Sequence, residues 1–213
     1  MKIIKCKDYD AVSQKASKIV IEQMKKKSNS VLGLATGSTP IKLYDNLVKA
    51  YLNKEVSFKD ILTYNLDEYI GIDKMHPQSY YQYMNQNLFS LVDIKPENAH
   101  LPNNDLNKIN TAAQLYNDEL IKNRIDLQVL GIGSNGHIGF NEPGTPFENE
   151  TFIVELNEQT RRDNMRFFDS INEVPKQAIT MGIKNIMRSK KIILLASGIE
   201  KADVIYKMIK EDV

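Results

Sequence analysis

The sequence predicts an α/β fold: an open, mostly parallel sheet with helices on both faces, in a single domain. Two observations carry this. Short β-branched runs alternate along the chain with segments whose apolar residues recur at helical spacing, the pattern of a parallel sheet covered by crossover helices. The 213 residues also contain no internal repeat, low-complexity tract or linker, and 42% of them are hydrophobic, enough to bury one core.

Taken in order, the first predicted strand is KIIK at residues 2–5. A helix follows, with Val12, Ala16, Ile19, Val20 and Met24 on one stripe. The run VLGLA at 31–35 is the second strand, and Leu43, Leu47, Val48 and Tyr51 mark the helix after it. A third strand at 61–66 leads to a helix capped by Ser79, with Tyr80, Tyr83, Met84 and Leu88 facing the core. Further strands are read at 127–131, 151–156 and 191–196, and a last helix at 200–210.

The formal net charge of +1 offers no electrostatic footprint for nucleic acid or an anionic membrane, and no apolar run reaches the length of a signal core or a membrane span. Cys6 is alone, so no intrachain disulfide and no cysteine-based metal cluster is expected. The histidines at 76, 100 and 137 lack metal-ligand spacing, so the expectation is a cytoplasmic protein without a metal site.

Ligands of open α/β sheets bind where strands end and loops lead into helices. Three such loops carry chemistry-bearing residues. After VLGLA come Thr36, Gly37, Ser38 and Thr39, with Thr39 read as an N-cap and Pro40 as the first helical residue. A glycine-hydroxyl turn opening a helix binds anions through free amides and the helix dipole, and its plain alternative is a capped βα turn. It lacks the lysine and spacing of a P-loop. After ILTYNL come Asp67 and Glu68, neighbours whose side chains diverge, so that one can face a ligand while structure holds the other. A carboxylate there suits proton abstraction beside a carbonyl; a solvated acidic turn is the alternative. His76 reads as a surface histidine.

The third loop, in DLQVLGIGSNGHIGFNEPG at 126–144, carries His137, which titrates near neutrality, with Asn135 and Glu142 close enough in sequence to orient it. Gly131, Gly133 and Gly136 spell G-x-G-x-x-G, and Glu155 follows about 20 residues later, as a dinucleotide fingerprint asks. That motif works only where its last glycine opens a helix, and Gly139, Pro143 and Gly144 oppose one here.

Together with HPQSYY, HLPN, TRRDNMRFF, VPKQAITMGI and LASGIEKA, the segments LATGSTP, NLDEYIG and LGIGSNGHIGFNEPG give the chain, nearly end to end, a resemblance to the glucosamine-6-phosphate deaminase family of amino-sugar catabolism. The resemblance implies a Rossmann-like domain with no cofactor and a small amino-sugar phosphate as its partner. It implies Asp67 as the base moving a proton from C2 toward C1, and His137 with Asn135 and Glu142 assisting ring opening. The turn Thr36, Gly37, Ser38, Thr39 would hold the phosphate with Arg166 and Lys201. Asn135 stands where many members carry Asp, which implies a changed hydrogen-bond partner for His137. Residues 157–176 are expected to form a lid over the phosphate. Members usually continue past the helix at 200–210 through another helix and strand, so an exposed sheet edge or helix face is expected there. Both monomers and homo-oligomers fit the resemblance. Its alternatives are a 6-phosphogluconolactonase-like hydrolase, which would carry a different acid motif and no NEPG, and a non-catalytic sugar-phosphate effector domain, which would lack Asp67 or His137.

Overall fold

The computed structural model describes the whole chain except residues 157, 166, 167, 169, 212 and 213. Helix α1 (Tyr9–Lys26) begins at Asp8, whose carboxylate accepts the Ala11 amide at 2.8 Å. Strand β1 (Val31–Leu34) and helix α2 (Ile41–Leu52) follow, then β2 (Leu62–Asn65), β3 (Asp67–Tyr69) and α3 (Tyr80–Asn87). After β4 (Ala99–His100) come α4 (Ile109–Lys122), β5 (Leu127–Leu130), β6 (Phe152–Glu155), α5 (Glu158–Met165) and β7 (Gln177–Thr180). The chain continues through α6 (Ile183–Met187), β8 (Ile192–Leu194), a 3-10 turn at Ile199–Lys201 and α7 (Ala202–Lys210).

Five strands form a parallel sheet in the order β4-β2-β1-β5-β8. The order reverses direction at β1/β5, and a doubly wound sheet opens a ligand crevice at such a switch point, beyond the carboxyl ends of the strands. The apolar periodicities explain the layers. Val20, Met24, Leu43, Leu47 and Met84 pack on Leu32, Leu34, Leu127 and Val129 on one face. On the other, Tyr116, Leu120 and Ile186 meet Val31, Leu130, Ile192 and Leu194. Gly33 sits at the centre because any side chain there would overlap the amide of Gln128, its neighbour on β5.

A second, antiparallel sheet of order β3-β7-β6 was not expected. The predicted strand at 151–156 belongs to it rather than to the parallel sheet, and the stretch from Asp67, read as a loop, opens on a three-residue strand paired with β7. Leu66 joins the sheets: its amide donates to the Leu34 carbonyl and its own carbonyl accepts the Met181 amide. The predicted strand at residues 2–5 does not form. The sheet ends at β4 and β8, and Ile3 and Ile4, flanked by lysines, stay 51% and 44% exposed. A charged flank is compatible with the surface and costly between two helical layers.

Candidate active site

β2, β1 and β5 are neighbours, and all three chemistry-bearing loops leave their carboxyl ends on the same rim of the sheet. In the turn after β1, Gly37 takes φ +96°, a left-handed conformation that favours glycine. The Tyr83 hydroxyl donates to the Gly37 carbonyl at 2.6 Å, and the Tyr9 hydroxyl lies 3.0 Å from the carbonyls of Ser38 and Thr39. With these carbonyls turned toward α1 and α3, the amides of Gly37, Ser38 and Thr39 donate to no protein atom among the described residues. They sit at the positive end of α2, an arrangement suited to a phosphate. The helix starts one residue later than the sequence suggested. Pro40 occupies the cap position, and Thr39 makes no capping bond.

Asp67 and Glu68 divide their roles. Glu68 is buried and accepts the amides of Tyr69, Tyr80 and Tyr81 at 2.9, 3.0 and 2.9 Å, which fastens β3 to the start of α3. Ser79 caps the same helix through the Gln82 amide. Asp67 is 5% exposed, and burial, with the Glu68 charge adding to it, raises its pKa from 3.8 to about 8. Removing water from a carboxylate disfavours its charged form and brings it into the range useful for proton transfer near neutral pH.

The loop after β5 is folded by its own hydrogen bonds and does not open a helix. The Gly133 amide donates to the His137 carbonyl at 2.8 Å, and Ile138 and Asn141 pair as an antiparallel bridge. A side chain at Gly133 would overlap the His137 imidazole, so the ring lies flat against this glycine. Asn135 Nδ2 donates to Glu142 Oε2 at 2.7 Å, and the same oxygen lies 3.9 Å from His137 Nδ1. Asn135 Oδ1 accepts the backbone amide of His137 at 3.2 Å. Asn135 therefore holds the loop and the Glu142 carboxylate, while Glu142 is the residue that faces the imidazole. The His137 and Glu142 side chains are 39% and 32% exposed, open enough to meet a ligand.

Gly139 brings this loop against Asp67. A Cβ there would lie 2.9 Å from Asp67 Oδ2 and 3.1 Å from Thr180 Oγ1. Asn141 pins the loop to β7 through the Met181 carbonyl at 2.8 Å. Asn135, His137 and Glu142 thus form one cluster on the loop, and Asp67 meets the same loop at Gly139. Lys201 stands on the 3-10 turn after β8, and among the described residues no hydrogen bond or ion pair joins it to that turn. Arg166 lies outside the described residues, as does part of the segment at 157–176, whose described part includes α5. His76 is half-buried; its Nδ1 accepts the Gln78 amide and its ring stacks on Phe168. Two cavities lie nearby: one of about 540 Å³ includes Glu68, Lys74, Tyr81 and His100 in its wall, and one of about 470 Å³ is bounded by Ile70, His76 and Phe168. Among the described residues no cluster of His, Cys, Asp or Glu is arranged to hold a metal ion, and no helix is long and apolar enough to cross a membrane.

Thr180 escaped the sequence reading because QAIT, short and preceded by Pro175 and Lys176, was not recognised as a strand. Its β-branched Ile179 and Thr180 were the available signal.

Residues 7–213 match the family described as glucosamine-6-phosphate isomerases/6-phosphogluconolactonase. A glucosamine-6-phosphate deaminase of Clostridium novyi (strain NT) is 54% identical over 210 residues, covering 98% of this chain and 87% of the relative. One from Mycoplasma mycoides subsp. mycoides SC is 52% identical over 217 residues, covering 99% and 85%. A solved structure of a monomeric glucosamine-6-phosphate deaminase superposes with a TM-score of 0.96 at 44% identity, covering 100% of this chain and 89% of that one. A 6-phosphogluconolactonase from Thermotoga maritima shares the fold, with a TM-score of 0.76 at 19% identity over 99% of this chain and 89% of its own.

Proposed function

This chain belongs to the family of glucosamine-6-phosphate isomerases and 6-phosphogluconolactonases, and on that premise we propose that it isomerises and deaminates glucosamine 6-phosphate to fructose 6-phosphate and ammonia. The observation that carries the proposal is the buried Asp67 carboxyl, with a pKa near 8, lying against the loop that bears His137 and Glu142.

The phosphate is taken by the amides and hydroxyls of Thr36, Gly37, Ser38 and Thr39 at the head of α2, with Arg166 and Lys201 as the cations assigned to it by the family's motifs. His137, oriented by Glu142, moves a proton between the ring oxygen and the C1 hydroxyl, so that the pyranose opens to an aldehyde. The aldehyde acidifies the C2 proton. Asp67 in its ionised form removes it as the C2 ammonium passes a proton to the C1 oxygen, giving an enolamine, and Asp67 then returns its proton to C1, giving a ketimine at C2. Water adds to the ketimine and expels ammonia. The bonds broken are C1–O5 on ring opening and C2–N on release of ammonia, and the accompanying proton transfers at the ring oxygen, C2 and C1 are assigned to His137 and Asp67. The same proposal makes the protein a hydrolase of N-acetylglucosamine degradation acting in the cytoplasm.

The lactonase alternative is weaker on particular residues. A lactonase needs a base to activate water but no carboxyl poised to shuttle a proton between two carbons, and its solved examples match this chain at 18–22% identity, which speaks for the fold alone. The test is direct: purified protein is given glucosamine 6-phosphate, and ammonia and fructose 6-phosphate are measured. Equal amounts of the two products are expected, and hydrolysis of 6-phosphogluconolactone without any ammonia release would overturn the reading.

A further inference from the structure

We propose that Thr180 is a positioning residue for the base: its hydroxyl, set between the Asp67 carboxyl and the backbone of the His137 loop, orients that carboxyl and keeps the two loops in register. The proposal deepens the deaminase reading and rests on it. Three observations support it. Thr180 on β7 is the direct antiparallel partner of Asp67 on β3, and such partners project to the same face with Cβ atoms about 4.5–5.5 Å apart. Thr180 is fully buried, and its Oγ1 and Asp67 Oδ2 both approach the bare α-carbon of Gly139, at 3.1 and 2.9 Å from the point a Cβ would occupy. The Phe140 amide donates to Thr180 Oγ1 at 3.3 Å, which uses the oxygen as an acceptor and leaves its proton to be placed.

The Met181 carbonyl is 3.5 Å from Oγ1, at the outer limit of a hydrogen bond, whereas a carboxylate is a stronger acceptor. When Asp67 ionises, the hydroxyl has a charged neighbour to turn to. One threonine then serves both loops: it accepts from the chain that carries His137 and donates to the base. The charge acting on Asp67 is that of Glu68. Glu68 and Tyr69 flank it on β3, Tyr80 comes from α3 and Tyr116 from α4, and burial raises all three phenols, so they remain neutral through the working range. β7 contributes no titratable residue.

The experiment compares wild type with Thr180→Val, which keeps the shape and removes the hydroxyl, and with Thr180→Ser, which restores it. Losing a donor to the ionised carboxyl disfavours that form. With Thr180→Val, kcat at pH 7 should fall roughly ten-fold or more, KM should change less than about two-fold, and the acid limb of kcat should move up by about one pH unit. Thr180→Ser should recover the wild-type profile. Carbon NMR of the Asp67 carboxyl in the ligand-free protein should show the same upward move, a readout that does not require turnover. If wild type releases no ammonia the deaminase reading fails, while the carboxyl titration still judges Thr180. Should Thr180→Val not fold, Thr180→Ala takes its place, with the same shift expected. A folded Val or Ala variant with wild-type kcat and an unmoved Asp67 titration overturns the proposal.

Discussion

Asp67→Asn should make the protein more stable while disabling it. In the fold the carboxyl titrates at about 8, against 3.8 for the unperturbed group. Between those values the folded chain holds a proton that the unfolded chain has released, so stability falls as pH rises from about 4 to about 8 and is level above that. At about 1.4 kcal/mol per pH unit, the penalty reaches an upper bound of about 6 kcal/mol, reduced to the extent that water enters the ionised site. Asparagine has nearly the same shape and no such titration. The variant should therefore gain over wild type progressively from pH 5 to pH 8, and its kcat should drop by roughly 10² to 10⁴, since an amide cannot accept the C2 proton. Guanidinium unfolding of both proteins at pH 5, 6, 7 and 8 measures the gain, with ammonia release run in parallel. A stability difference that stays flat across that range would refute the reasoning, because the carboxyl would then not be titrating against burial.

Three further outcomes are expected. His137→Gln should leave the fold intact, because the loop is held by backbone bonds and by Asn135 and Asn141, yet lower kcat by roughly 10² to 10⁴ in the same assay. Asp126→Ala should cost about 3 kcal/mol by urea denaturation, since the buried carboxylate ties Lys27, Lys190 and the Val31 amide at the opposite end of the sheet. Burial raises the Asp126 pKa, but those partners outweigh it and hold it below the usual value, so its contribution is present above the unfolded pKa and disappears as pH falls through the folded one. The gap between variant and wild type should close in acid. Gly182→Ala should destabilise by about 2 kcal/mol in thermal unfolding, because the added methyl would overlap the backbone carbonyls of Asn149 and Glu150, which cannot rotate away.

Local signals were legible where local chemistry decides. Ser79 was read as a cap from its place before an apolar stripe, and its hydroxyl does accept the Gln82 amide. The glycines and proline after His137 argued against a helix, and that stretch is a loop stitched by its own backbone. The suspicion that one of two adjacent acids is held by structure is met by Glu68, with three amides on its carboxylate. Strand identity was harder. KIIK and QAIT are both short and apolar at the centre, yet the first stays irregular and exposed while the second becomes β7, because a strand needs a partner edge and a covered face, and neither is written in four residues.

The sequence by itself determined the alternation of strands and helices, the one-domain scale, and the residue types on the three chemical loops. These follow from periodicity, capping and glycine content, which act over a few neighbours. Only the tertiary structure decided which sheet each strand joined, that Asp67 stands where the chain passes from one sheet to the other, and that Gly139 and Thr180 close around it. The Asp67 carboxyl has its pKa near 8 for that reason. The shift comes mainly from loss of water, with the charge of neighbouring Glu68 adding to it, and that water is excluded only once segments distant along the chain are packed together.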